Sequence, residues 1–251
     1  MAMIRGDYLQ QQTSCGDHAR VVFGRGRCLV RYLRMQVPNL ARAAQGRRNT
    51  RRIAAERATL ATLIQLFVGL VAFGMSLALL VQSNLGLDPW DVLHQGLSIT
   101  SGIPIGVVTV ITGAIVLALW FPLRQRPGIG TVANVIVVGV TLDAVLSVLP
   151  APTAMLGRWS FLLAGILLNG LATGAYIGAG LGAGPRDGLM MALAARGYSV
   201  RIARTTIEVS VLAAGYFLGG TVGIGTLLYA ATIGPIVHIT LPTFSRRGHR
   251  T

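Results

Sequence analysis

The hydrophobic part of this chain is written twice, 96 residues apart. Leu85-Gly86-Leu87-Asp88-Pro89-Trp90-Asp91 reappears as Leu181-Gly182-Ala183-Gly184-Pro185-Arg186-Asp187, and Gly128-Ile129-Gly130-Thr131 returns unchanged as Gly223-Ile224-Gly225-Thr226. Gly69 falls on Gly165, Gly74 on Gly170 and Thr109 on Thr205 at a spacing of 96, which a one-residue gap then reduces to 95. A duplicated apolar chain is the ground plan of small transporters and channels, whose sites lie between the halves. The repetition speaks to architecture and is silent on substrate.

Only 12% of the residues are charged and 53% are hydrophobic, with a mean hydropathy of +0.63. Soluble domains carry roughly 25% charged residues. The apolar residues form six blocks, Leu60–Gln82, Ile103–Leu123, Ile129–Leu149, Trp159–Ala179, Ile202–Gly220 and Val222–Leu241. Each is close to the roughly 20 residues a helix needs to cross about 30 Å of hydrocarbon. Six crossings are expected.

All 22 basic residues are arginines, and 12 of them lie in residues 1–58. Arg124 and Arg126 separate the second and third blocks, and Arg186, Arg196, Arg201 and Arg204 lie near the junction of the fourth and fifth. Arg246, Arg247 and Arg250 follow the sixth. With the N-terminus in the cytoplasm, alternation leaves only Arg158 outside, and arginine bias in short loops sets orientation. Both termini are therefore expected in the cytoplasm of a bacterial plasma membrane. The net charge of +14 is read as a topology signal that touches anionic lipid, with no nucleic-acid partner. Cys15 and Cys28 are read as reduced surface thiols.

The chain thus divides into a basic, disordered cytoplasmic tail (1–58), a first membrane repeat (59–150), a second (151–244) and a short basic tail (245–251). Within each repeat a span is followed by a short segment and two further spans. The short segments are Asp88–Ser98, with Asp88 as N-cap and Pro89 in the first turn, and Pro185–Arg196. Too short to cross, they are expected as amphipathic or re-entrant helices. Three crossings per repeat would thread the second copy opposite to the first. The expected fold is an all-α membrane protein of two inverted three-helix repeats, with the Asp91 segment facing outside and the Asp187 segment facing the cytoplasm.

Ionisable groups at membrane depth cost about 3 kcal/mol, which makes them functional candidates. Glu208 in the fifth block, with Arg204 one turn before it, is either a locally neutralised pair or a proton- or ligand-binding carboxylate. Asp143 and its repeat counterpart His238 could both take up protons. Asp88, Trp90, Asp91 and His94 on one short segment, and Arg186 and Asp187 on the other, are gate candidates. Capping and bonding of freed backbone groups is the competing reading for Asp91 and Asp187. Asn134 and Asn169 suit interhelical hydrogen bonds, and Asn169 is also a solute-contact candidate. Gly170, Gly174, Gly178 and Gly182 form a stripe that lets a second helix approach closely, in the same chain or in a homo-oligomer. Asp91 and His94 are three apart but have no third ligand, so no metal or other cofactor is expected. The Gly-Ile-Gly-Thr tetrads match neither a Walker loop nor a dinucleotide fingerprint and are read as helix starts.

Gly-Leu-Asp-Pro-Trp-Asp-Val-Leu-His-Gln-Gly (86–96), Gly-Pro-Arg-Asp-Gly-Leu-Met (184–190) and Gly-Gly-Thr-Val-Gly-Ile-Gly-Thr (219–226) together resemble the YczE/YitT-type uncharacterised bacterial integral membrane proteins over residues 60–244. The resemblance implies a bacterial inner-membrane protein and carries over no substrate or site residue. From topology, the expected function is a small secondary transporter or exporter of an unidentified small solute by alternating access. The alternative is a non-transport scaffold or accessory subunit, whose glycine stripe would dock a partner helix. An enzyme is not expected, because no nucleophile–base set, metal cluster or nucleotide motif is present.

Overall fold

The computed structural model describes residues 59–245 except 124, 126, 195 and 198. The expectations for both tails, including disorder, reduced cysteines and lipid contact, lie outside the described residues. Eight helices follow one another: α1 (Thr59–Ser83), α2 (Pro89–Ser101), α3 (Ile105–Trp120), α4 (Ile129–Val148), α5 (Met155–Gly178), α6 (Pro185–Ala194), α7 (Val200–Phe217) and α8 (Ile224–Phe244). The described residues contain no strand. Element order repeats after four helices, as the sequence spacing requires.

Four helices, α1, α4, α5 and α8, are long and apolar enough to cross a membrane, and the count reaches five if α2 and α3 form one broken span. Six full-length spans were expected, and two blocks fall short for identifiable reasons. The second block yields a helix of only 16 residues, about 24 Å at 1.5 Å per residue, which meets α2 at a bend of 117°. In the fifth, α7 has 18 residues and carries Arg201, Arg204 and Glu208. The outward faces of the long helices are apolar, with Phe67 and Val68 on α1, Val140 on α4, Leu167 on α5 and Leu227 on α8 all exposed. Lipid tails are the solvent that suits such a surface.

Contacts between helices recur with their partners exchanged. A side chain on Gly69 of α1 would strike Tyr176 of α5, at 2.9 Å from its backbone nitrogen, and one on Gly165 of α5 would strike Leu80 of α1 at 2.9 Å. Gly74 meets Val138 and Thr141 of α4 just as Gly170 meets Ile233 and Ile236 of α8. Every residue in the second contact of each pair lies 95 or 96 positions from its counterpart in the first.

The same exchange governs the repeated tetrads. The Gly130 amide at the start of α4 donates to the Leu181 carbonyl (3.0 Å), and the Gly225 amide at the start of α8 donates to the Leu85 carbonyl (2.8 Å). Thr131 and Thr226 accept from the amides of Gly128 and Gly223 at 3.3 Å each, closing both N-termini in the manner of a capping box. Each tetrad is thus a helix start, as expected, and also the dock for the other copy's Leu-Gly turn. Those turns need glycine twice over. Gly86 and Gly182 have φ of +121° and +133°, and a Cβ there would lie 2.8 Å from Thr226 Oγ1 and 2.6 Å from Thr131 Oγ1 respectively.

The glycine stripe is used inside the chain. Gly170, Gly174 and Gly178 of α5 lie against Ile236, Thr240 and Phe244 of α8, one helical turn apart on both sides. The Thr240 hydroxyl donates to the Gly170 carbonyl at 2.9 Å. Gly182 lies beyond the helix end and belongs to the Leu-Gly turn instead. A partner helix has no access to this seam while α8 covers it.

Replacing Gly86 by Ala combines left-handed strain, about 1–3 kcal/mol, with a collision against Thr226. Gly102 also has a positive φ, +71°, but a Cβ there would meet nothing within 4 Å. Thermal unfolding of the purified protein in detergent should therefore show a clearly larger loss for Gly86→Ala than for Gly102→Ala.

Candidate functional site

A cavity of about 440 Å³ lies among the helices, and all eight contribute to its lining, from Phe73 of α1 to His238 of α8. Its chemistry comes from the two short helices. Asp88 caps α2, its Oδ1 accepting from the Asp91 amide at 2.6 Å, and Pro89 fills the first turn, where a missing N–H costs nothing. This local geometry turns Asp91 and His94 inward: they are 2% and 1% exposed. A helix lying flat at a water interface would expose such residues. The short segment is instead covered by protein, the condition for irregular chain within a membrane.

Arg186, in the first turn of α6, reaches the α2 residues. Its Nη1 donates to Asp88 Oδ2 at 3.4 Å and its Nη2 to Asp91 Oδ1 at 3.3 Å, while its Cζ stands 5.2 Å from the centroid of the Trp90 ring. Cation–π attraction adds to the two ion pairs. His94 Nδ1 lies 3.1 Å from Asp91 Oδ1 and 3.2 Å from the Thr109 hydroxyl of α3. Arg186 Nη2 stands 3.5 Å from the same Nδ1, so the imidazole joins both partners of the ion pair. Two segments expected as separate gates at opposite surfaces therefore meet in one ion-paired cluster. Asp88 does cap α2 as its sequence suggests. Asp91 instead spends its carboxylate on His94 and Arg186, although its second oxygen, Oδ2, is buried without a partner among the described residues.

Asp187 lines the same cavity, and its Oδ2 accepts from the Tyr176 hydroxyl of α5 at 3.2 Å. Asn169 is fully buried, donates to Ser76 of α1 (2.9 Å) and accepts from Tyr229 of α8 (2.9 Å). It ties three helices together at the cavity wall, and each such bond contributes about 0.6–2 kcal/mol. Arg204 Nε donates to Glu208 Oε1 at 2.8 Å, and both face the cavity from α7. Asn134 and His238 also line it.

Asp143 stands apart from that lining. Its two oxygens accept from the amides of Gly106 (2.7 Å) and Val107 (3.1 Å), closing the start of α3 across the 117° bend. Pro104 at the N-cap has no side-chain oxygen for this task, so α4 supplies one. The spacing of Asp143 and His238 pointed to paired protonation sites, and the geometry gives them unlike surroundings.

Three participants carry no sequence signal of their own. Tyr176, Tyr229 and Trp120 read as ordinary aromatics of apolar blocks, yet the Trp120 Nε1 donates to the Pro185 carbonyl at 3.1 Å. Tyr176 is accessible in principle, because it lies 96 residues from Leu80 and replaces an apolar residue with a hydroxyl. Among the described residues no group of three His, Cys, Asp or Glu side chains could hold a metal ion.

Residues 60–242 match a family of unknown function (DUF6198), and the chain belongs to it. A Haemophilus influenzae protein, described only as uncharacterized, is 40% identical over 189 residues, covering 75% of this chain and 87% of that protein. The uncharacterized membrane protein YczE of Bacillus subtilis is 37% identical over 180 residues, 70% of this chain and 83% of its own length. A second Bacillus subtilis protein, YyaS, is 28% identical over 186 residues, 71% and 92% respectively. No solved structure matches. Together with its apolar helices, these relatives make the chain a membrane protein.

The two arginines facing the cavity should differ sharply in their effect on stability. Arg186→Met leaves Asp88 and Asp91, 8% and 2% exposed at the side chain, without their cation, and breaking a buried pair in this way costs about 3–5 kcal/mol. Arg204→Met breaks a pair whose side chains are 57% and 31% exposed, where the expected loss is below about 1 kcal/mol. Melting temperatures in detergent check the contrast.

Proposed function

We propose that this family member is a small secondary transporter that carries an organic solute across a bacterial plasma membrane by alternating access, without enzymatic chemistry. In this reading its two halves are inverted repeats of three crossings each, and both termini are cytoplasmic. The observation that carries it is the cavity: it is lined by residues of all eight helices, and a single arginine from one half binds two carboxylates from the other beside it. The exchange of partners at Gly69/Gly165, at Gly74/Gly170 and at the two tetrads supports a two-fold relation between the halves. In inverted-repeat transporters the site lies at such a junction, beside broken helices.

The chemistry of the cluster suits a gate. Parting α2 from α6 separates Arg186 from Asp88, Asp91 and the Trp90 ring together, a concerted loss that makes intermediate openings costly. The glycine seams between α1 and α5 and between α5 and α8 present smooth surfaces along which helices can rock. The shortness of α3 and the three charges of α7 are tolerable in spans that border a wet cavity. Arg204–Glu208 at the wall is the candidate pair for proton coupling.

Reconstitution in liposomes checks the proposal. Solute-dependent flux or proton movement is expected from the wild type, Arg186→Met should uncouple or stop it, and Glu208→Gln should abolish its proton dependence. Reporter fusions at Pro152 should read outside and those at Arg196 inside. Stable co-purification with a partner protein, with no flux from any solute panel, would replace transport by a scaffold role. Fusions reading the same side at both positions would remove the inverted threading.

A further inference from the structure

We propose that the cavity binds a small organic cation, an ammonium or guanidinium on an apolar or aromatic body, with Asp187 as its counter-ion. This rests on the transporter reading of the same cavity. The inventory of permanent charges at and behind the wall is unbalanced: Asp88, Asp91, Asp187 and Glu208 face two guanidiniums, those of Arg186 and Arg204, beside the imidazoles of His94, which Asp91 engages, and His238. Arg186 is shared by Asp88 and Asp91, and Arg204 is taken by Glu208. Among the described residues Asp187 has one hydrogen-bond donor, the neutral Tyr176 hydroxyl, and no ion-pair partner.

Duplication accounts for the deficit. Asp91 corresponds to Asp187 and Trp90 to Arg186, each 96 residues on. The contact Asp91–Arg186 therefore has Asp187–Trp90 as its repeat counterpart, and an indole ring brings no charge to it. In the first turn of α6, Asp187 lies where the helix amides favour a carboxylate. Burial works the other way and raises this carboxyl's pKa, so a cation beside it would restore the charged form.

The surroundings select the rest of the ligand. Phe73, Tyr176, Tyr229 and Trp90 line the cavity, and the Trp90 ring already holds one guanidinium at 5.2 Å. Aromatic faces together with a carboxylate that has no ion-pair partner suit an organic cation. An anion would meet the carboxylates of Asp88, Asp187 and Glu208 at the wall, and two guanidiniums that are already engaged.

The test measures binding of 2-phenylethylammonium to the full chain in detergent by calorimetry, with 2-phenylethanol and phenylacetate as neutral and anionic comparators. Saturable binding of the ammonium is expected, with the comparators roughly tenfold or more weaker, the scale of one charge-assisted hydrogen bond. Asp187→Asn should lose a similar factor, and Asp187→Glu should stay within about threefold. The three-ligand comparison on the wild type stands even if the Asn variant does not fold. Phenylacetate binding as tightly as the ammonium, no saturable ammonium binding, or unaltered affinity in a folded Asp187→Asn variant would each overturn the proposal. Counterflow of the same three compounds in liposomes separates the two readings. Ammonium binding without flux of any compound removes transport and keeps the cation site, whereas flux of phenylacetate or the alcohol with no ammonium binding does the reverse.

Discussion

Everything in this molecule hangs on two backbone junctions at which one half of the chain completes the other. A helix start leaves amides without partners, and hydrocarbon supplies none. The carbonyls of Leu85 and Leu181 answer that need at α8 and α4, and only glycine lets the chains come so near. Interhelical packing in lipid gains little from apolar burial, because the tails are as greasy as the side chains. Close backbone approach and satisfied polar groups must do that work instead, which is why the repeated motifs carry glycine at each docking point and a threonine beside it.

The cavity inherits its precision from those junctions. Asp88 stands two residues after Gly86, and Arg186 four after Gly182. Docking of each Leu-Gly turn therefore sets where the next short helix begins and which way its first turn faces. The Pro at the head of each helix stiffens that start. A polar cluster buried in this way is costly wherever its members lack partners, and here its members are positioned by chain geometry that lies outside the cluster itself.

Much of this is legible without coordinates. The 96-residue spacing anticipates the repeated order of helices, and Asp88-Pro89 the start of α2. Periodic glycines at 170, 174 and 178 announce a close seam, although the choice of α8 as its partner depends on how the chain returns on itself. Span number is over-read. Hydropathy treats Ile103–Leu123 as one run because it cannot register that Gly102 and Pro104 end one helix and start another at a sharp angle. The meeting of Arg186 with Asp88 and Asp91 is out of reach for a related reason: loop charge reports which side a segment enters from and not how deeply it dips. Asp143 illustrates the remaining gap, since a buried acid can serve a proton or a helix start, and only the distance to Gly106 and Val107 distinguishes them.

The stacking of Arg186 on Trp90 has an evolutionary corollary. These two residues occupy equivalent places in the two copies, so each sits where it would meet its own twin in an assembly of identical half-length chains. Two arginines there would repel, and two tryptophans would leave the neighbouring acids unneutralised. A favourable pairing at that spot demands that the copies differ, and a single chain allows them to differ in a fixed ratio. The single-chain form thus carries a heterogeneity that a homodimer of half-length chains could not encode.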